Sequence, residues 1–320
     1  MRTYLSILSS RQYWKNQFSP AAFLKSFFAV VGVLAAGLEA GKQLLGLFQP
    51  NANWLQQWIQ ANYWVAILLI LCTSVLVAVT TLAPTIRVSS RLKQRDLTIA
   101  IELGDLFDTS DVLVIGTNRT FDTDLTDELI SSRSIQGQFT KRYYSTVKHL
   151  DAELDAQLQS ESFQQLTSTE KRIGKLKLYE MGSVAKVNTS SRTSYLLAMA
   201  TMNSHGVANC SIDDLRASLV GLWQFIAEKG GGLPRLRVPV LGTGFGKLKP
   251  PKSEVIKEIL RSLVAAASAD RFCESFTIVV SVNDFLEHEV DLNELGDFLR
   301  YLTAYTELRS AQEVGAGVAI

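Results

Sequence analysis

The residues best placed to do chemistry lie in one short run, VPVLGTGFGKLKPP, beginning at Val238. Gly242, Thr243, Gly244, Phe245 and Gly246 follow an apolar stretch from Leu236 to Leu241 that reads as a buried strand. Glycine admits positive φ and lets backbone N–H groups approach an anion with no side chain in the way. At the carboxyl end of a strand in an open α/β sheet, such a loop forms a nest in which a diphosphate would fit. It is not a Walker loop, because it is one residue too short before Lys247 and Leu248 stands where a Mg²⁺-binding Ser or Thr is needed. Nor does it carry the G-x-G-x-x-G spacing of a dinucleotide fingerprint. A tight structural turn is the competing reading.

Other reactive side chains are sparse. Cys72, Cys210 and Cys273 are scattered and odd in number, so they build neither a disulfide framework nor a metal cluster, which fits a reducing compartment. His149, His205 and His288 show no metal-ligand spacing. No catalytic set, metal or cofactor is implied.

The elements that must position the glycine loop alternate between strand and helix signals. Leu97 to Glu102 and Asp111 to Ile115 read as strands, the first ending at Gly104-Asp105 and the second at Gly116-Thr117-Asn118. Val147, Leu150, Leu154 and Leu158 recur at helical spacing. Strands are expected at Val184 to Val187 and Ser194 to Ala200. A helix begins at the Ser211/Asp214 capping-box pair, with Leu215, Leu219, Leu222 and Ile226 inward, and stops at Gly230-Gly231-Gly232. After the glycine loop come a helix marked by Val255 to Val264, a strand from Phe276 to Val282, and a last helix from about Phe285 to Leu302. This alternation predicts a mostly parallel or mixed sheet covered on both faces.

Ahead of it lie two apolar runs, at about 23–48 and 63–84. The second has no charged side chain and is long enough to cross a bilayer. The first holds Glu39 and Lys42, three apart and able to pair, and a Gly37-xxx-Gly41 face suited to close packing. Trp54 and Trp58 between the runs, with Tyr63 and Trp64, fit an interfacial aromatic belt. Arg2, Arg11, Lys15 and Lys25 precede the pair and Arg87, Arg91, Lys93 and Arg95 follow it, while the intervening loop is uncharged. Positive flanks stay cytoplasmic, so a two-pass hairpin with both ends inside is predicted. With 32 basic against 31 acidic residues, charge gives no argument for nucleic acid as a partner. The expected organisation is 1–90 for the N-terminal segment and hairpin, 91–310 for the α/β domain and 311–320 for a flexible tail.

The run LTIAIELGDLFDTSDVLVIGTN resembles the opening of macro domains, VPVLGTGFG their second phosphate-binding loop, and VVSVNDF their last strand. The resemblance covers roughly Asp96 to Leu302, in order and spacing. Two transmembrane helices ahead of such a domain resemble the membrane-anchored macro-domain effectors of Thoeris antiphage defence. The implied fold is α/β, a macro-domain-like mixed sheet with helices on both faces, preceded by a two-helix transmembrane hairpin.

The resemblance assigns roles residue by residue. Asp105, with Leu106 in the same Gly-Asp-Leu turn, matches the aspartate that accepts the adenine amino group; a turn or cap aspartate is the plain alternative. Asn118 matches the asparagine near the distal ribose, with an ordinary loop asparagine as the alternative. Gly242 to Gly246 would cradle the diphosphate, with Phe245 either beside the ribose or in the core, and Asn283 matches a position bordering the adenine, a plain turn asparagine being the equal alternative. Macro-domain hydrolases carry a glycine run after the Asn-bearing loop. This chain has Ser134-Ile-Gln-Gly-Gln-Phe139 instead, so Ser134, Gly137 and Gln138 are taken as a substitute first phosphate loop. Without the glycine run a water beside the ribose lacks its positioning groups, which points to a reader and not a hydrolase. The resemblance thus implies a sensor of ADP-ribose or an ADP-ribose conjugate such as an amino-acid adduct. The signal would be made from NAD by a partner with a Toll/interleukin-receptor-like domain. Binding would drive homo-oligomerisation and disruption of the bacterial inner membrane. A membrane-tethered hydrolase of ADP-ribose adducts and a ligand-free scaffold remain the alternatives.

Overall fold

A computed structural model describes residues 2–11, 13, 19–48, 57–58, 61–81, 83–125, 129–189, 191–204, 206–244, 248–287 and 290–306. Phe245, Gly246, Trp54, His205, His288, the Lys42 side chain and the tail 311–320 lie outside the described set. The chain divides into two compact units, Met1–Thr85 and Ile86–Ile320.

The first unit holds α1 (Arg2–Ser9), α2 (Pro20–Phe48) and α3 (Tyr63–Thr81). Within α2 the span Pro20–Gly41, and α3 throughout, are long and apolar enough to cross a membrane. Only 0% and 11% of their most apolar windows are buried within the described chain. Phe28, Val33, Trp64, Leu68 and Leu76 stand exposed along them, which water tolerates poorly and lipid does not oppose. The two run antiparallel, with Ser26 near the start of α2 meeting Thr81 at the end of α3 through their hydroxyls at 3.1 Å. Thr73 and Ser74 return their hydroxyls to the carbonyls of Leu69 and Ile70, both at 2.7 Å, so neither leaves a polar atom unsatisfied in the apolar stretch. A Cβ added at Gly32, Gly37 or Gly41 would meet nothing within 4 Å, so the small-residue face of α2 is unused among the described residues.

The second unit is built on one sheet. Its strands are β1 (Arg87–Leu92), β2 (Leu97–Leu103), β3 (Val112–Asn118), β6 (Val184–Asn188), β7 (Thr193–Met202), β8 (Ala208–Asn209), β9 (Arg235–Pro239) and β10 (Ser275–Val280). A separate hairpin pairs β4 (Phe163–Gln165) with β5 (Lys177–Tyr179). The sheet runs β1-β2-β10-β9-β3-β7-β6, with β8 on the end of β7. The five central strands are parallel, and β1, β6 and β8 join antiparallel. The helices are α4 (Ile135–Tyr143), α5 (Val147–Gln157), α6 (Ile212–Lys229), α7 (Lys252–Ala269), α8 (Val282–Leu286) and α9 (Leu292–Tyr305).

Parallel strands buried on both faces read as unbroken apolar runs, and Phe276 to Val280 of β10 are all buried. In β3 the pleat sends Leu113 and Ile115 into one cluster with Phe139, Leu150 and Leu154, while Val114, equally buried, points the other way. The expected inner faces of α6 and α7 are buried, and Trp223 of α6 donates to the Ser262 hydroxyl of α7 at 2.9 Å. The Ser211/Asp214 capping box forms, and Gly231 and Gly232 take φ of +78° and +104° beyond α6.

Several boundaries differ from expectation for local reasons. The strand expected to reach Leu241 stops at Pro239, which has no N–H for the ladder. The single last helix is two, because Ser281 caps α8 and Asp291 starts α9 by accepting from the amides of Asn293 and Glu294. Arg87 and Arg91, counted as a cytoplasmic flank, lie in β1 and pair with Glu102 at 2.8 Å and with Asp96.

The chain leaving β3 is held by a buried polar network. Asn118 Oδ1 accepts from the amides of Thr120 (3.2 Å) and Asp122 (3.1 Å), forcing a turn that puts Phe121 at φ +47°. Asp122 and Lys171 side chains are 1% and 2% exposed and pair at 2.5 Å. The ammonium spends its other donors on Thr120 Oγ1 and the Lys175 carbonyl, both at 2.7 Å. Burial still pulls the Lys171 pKa below the usual lysine value, against the pull of Asp122. Asp122 Oδ1 accepts from the Lys175 amide at 2.7 Å, and a Cβ at Gly174 would lie 2.3 Å from that oxygen. Gln136 of α4 reaches the Asp122 carbonyl at 2.6 Å. Replacing Lys171 with Met strands a buried carboxylate and is expected to cost about 3–5 kcal/mol of folding stability in urea unfolding. Adding Asp122→Asn should recover part of that loss, because the uncompensated charge is then gone.

Candidate functional site

From β3 the chain travels through α4 and α5 to β7 on one side, whereas from β9 it travels through α7 to β10 on the other. The point where the two directions part is where an open sheet leaves a crevice at its carboxyl edge. A cleft of about 410 Å³ lies there. Its floor is Gly116 to Asn118 of β3 with Met199 and Ala200 of β7. One wall is the segment Leu129 to Gln136 that leads into α4, and the other is Pro239 to Gly242 with Gly244. Gly206 to Ala208 and Cys210 close a third side.

The wall at α4 was expected as a loop and is a helix N-terminus. Ser134 is its N-cap, accepting from the Gly137 amide at 3.0 Å, and its carbonyl takes the Gln138 amide at 2.9 Å. The amides of Ile135 and Gln136 are left with no partner among the described residues, as the first turn of a helix requires. Gly137 is glycine for packing, since a Cβ would sit 2.3 Å from the Ser131 carbonyl. Gln138 is not among the lining residues and donates to the Arg133 carbonyl at 2.9 Å.

The facing wall has the nest form. Gly242 takes φ +76°, and the Thr243 hydroxyl folds back to the Val240 carbonyl at 2.9 Å. No described carbonyl accepts from the amides of Gly242, Thr243 or Gly244, while the Gly242 carbonyl is used by the Leu248 amide at 3.1 Å. A Cβ at Gly244 would meet nothing within 4 Å, so this position borders open space.

The expected site residues therefore separate. Asn118, Ser134, Gly242 and Gly244 line the cleft. Asn118 commits most of its amide to its own turn, with Nδ2 donating to Asp122 at 2.9 Å. Asp105, Leu106 and Asn283 do not line it. Asp105 accepts from the Phe107 amide at 3.0 Å and pairs with Arg142 at 3.3 Å; Leu106 is buried in the core. Asn283 is exposed in the first turn of α8. Residues not anticipated include Arg133, Gln136 and Cys210. Only α4 left a trace in the sequence, a Ser just ahead of a helical run, the ordinary helix-start signal.

Electrostatically the cleft offers donors to an anion against apolar surface from Ile130, Val207, Val240 and Leu241. Among its described lining residues Arg133 is the one charged side chain. Cys210 is buried, and desolvation with nearby Asp214 pushes its thiol up to about 12, so it stays protonated at neutral pH.

Residues 99–281 match the family described as Thoeris protein ThsA, Macro domain. A curated relative, the Thoeris protein ThsA of Bacillus amyloliquefaciens (strain Y2), is 28% identical over 154 residues, 46% of this chain and 48% of that protein. The chain thus spans about half the length of the curated relative it matches. Among solved structures, a variant of the Oceanobacillus iheyensis macrodomain with ADPR is 13% identical, covering 68% of this chain and 97% of its own with a TM-score of 0.45. The same macrodomain with ADP is 11% identical, covering 68% and 95%, with a TM-score of 0.43. Likeness at that distance says nothing of ligands, and family membership rests on the sequence match. With more than half its length matched, the chain belongs to the Thoeris protein ThsA macro-domain family.

Proposed function

We propose that the cleft binds a nucleotide diphosphate of the ADP-ribose type, and that the chain is a membrane-anchored sensor and effector in Thoeris defence. The observation that carries this reading is the pair of amide sets without a backbone partner among the described residues on lining positions of one cleft, Ile135 and Gln136 on one wall and Gly242 and Gly244 on the other. Backbone amides at a helix N-terminus and in a glycine nest are anion sites that act without a charged side chain. The cleft volume lies within the ordinary range for small-molecule pockets, roughly 300–1,000 Å³. Membership of a macro-domain family supplies the nucleotide class.

The two apolar helices, exposed along their length, support anchoring in the inner membrane, with the positive flanks and the macro domain cytoplasmic. The signal would come from a NAD-consuming partner with a Toll/interleukin-receptor-like domain. Its binding would favour an assembled state in which the hairpins breach the membrane. A ligand shifts such an equilibrium only by its difference in affinity between the two states. Donors and apolar surface are what holding a ligand needs.

Gly244→Trp puts its side chain into the open cleft without a backbone clash. Calorimetry with ADP-ribose should show at least a tenfold loss of affinity, about 1.4 kcal/mol, with an unchanged unfolding midpoint. Toxicity in cells should vanish with it; a variant that cannot bind yet still kills would break the link between cleft and membrane. Gly242→Ala behaves differently, because its φ is positive and the new Cβ would overlap Leu248. It should lower stability by about 1–2 kcal/mol as read by thermal unfolding. At pH 8 the Cys210 thiol should alkylate roughly a thousandfold more slowly than an ordinary cysteine by peptide mass spectrometry, and at a normal rate in urea.

A further inference from the structure

We propose that Arg133 is the specificity-determining cation of the cleft, the side chain that selects a phosphorylated ligand over an uncharged nucleoside. This rests on the reading of the cleft as a nucleotide site. Most arginines of the α/β unit are already occupied. Arg119 holds the Tyr179 carbonyl, Arg142 pairs with Asp105, Arg216 with Glu258, Arg235 with Asp111 and Arg237 with Glu102. The guanidinium of Arg133 has no carboxylate or carbonyl partner among the described residues, although it borders the cleft.

Its backbone, by contrast, is fixed. The Arg133 amide donates to Ser131 Oγ at 3.3 Å, its carbonyl accepts from Gln138 at 2.9 Å, and the next residue is the N-cap of α4. The charge is therefore tethered beside the free amides of Ile135 and Gln136, with its head exposed and uncommitted. Guanidinium presents a planar fork of donors that matches two phosphate oxygens, and its field adds to the partial positive charge of the helix N-terminus. No acidic side chain among the described lining residues opposes it. The arrangement fits a ligand whose phosphates enter from the α4 wall, with Arg133 closing over them.

The test is calorimetry on the full chain in detergent, with ADP-ribose and adenosine as probes, at low and moderate salt. Arg133→Gln should weaken ADP-ribose binding tenfold or more and flatten its salt dependence. Adenosine affinity and the unfolding midpoint should be unchanged. Arg133→Lys, which keeps the charge but loses the fork, should fall between, and it serves as the second variant if the glutamine form misfolds. ADP-ribose binding within twofold of wild type in Arg133→Gln overturns the assignment, as does an equal loss for both probes. If the wild-type chain binds no ADP-ribose, the reading of the cleft fails and this assignment with it, an outcome distinct from wild-type binding that Arg133 does not affect.

Discussion

The ion pair between Asp122 and Lys171 governs how the cleft is built. Two charges removed from water are tolerated only when their remaining hydrogen-bonding capacity is met, and here it is. Three donors of the ammonium are used, and both carboxylate oxygens accept. What this arrangement secures is geometry. Asn118 turns the chain out of β3, Gln136 ties α4 to the same aspartate, and the segment around Lys171 and Gly174 is drawn under both. The floor and one wall of the cleft are thus anchored to a single buried aspartate, the floor through its carboxylate and the wall through its backbone carbonyl. A half-satisfied network at this place would be worse than an apolar one, which accounts for a glycine at 174 where any side chain would collide with Asp122.

On that foundation the cleft collects partial positive charge from several sources that need no titratable group. Helix α4 contributes its first turn, the loop after β9 contributes a nest opened by positive φ at Gly242, and Arg133 adds a full charge at the rim. The sources converge because β3 and β9 are neighbours whose onward connections diverge, leaving their carboxyl ends uncovered. Pro239 ends β9 and frees the chain to turn into the nest. The donors the cleft offers are thus mainly backbone, with Arg133 the one charged side chain among its described lining residues.

The two units distribute their apolar side chains in opposite ways. In α2 and α3 the hydroxyls of Thr73 and Ser74 satisfy themselves within the helix, and large apolar side chains point outward. In the sheet unit the apolar side chains of β3 and β10 point inward on both faces, and the charged residues pair at the surface.

Periodicity and punctuation made much of this legible. The apolar helices, the capping box at Ser211, the glycine stop after α6, the buried strand β10 and the glycine loop after β9 all follow from local chemistry that any reader of the chain can apply. Other features depend on partners far away in sequence. Ser134, Gly137 and Gln138 look like a phosphate loop in isolation, yet the Ser131 carbonyl packed against Gly137 makes that glycine a packing residue and the segment a helix start. Lys171 reads as a surface lysine until a carboxylate 49 positions earlier appears beside it. Asn118 lines the cleft as expected but spends its amide on its own turn, and Asp105 sits with Arg142 outside the lining. Local spacing therefore determined most of the strands and helices and the place of the glycine loop, because those states are set largely by near neighbours along the chain. Only the tertiary structure decided which of their polar groups remain free, because hydrogen-bonding capacity is consumed by whichever distant groups the fold brings within three ångströms.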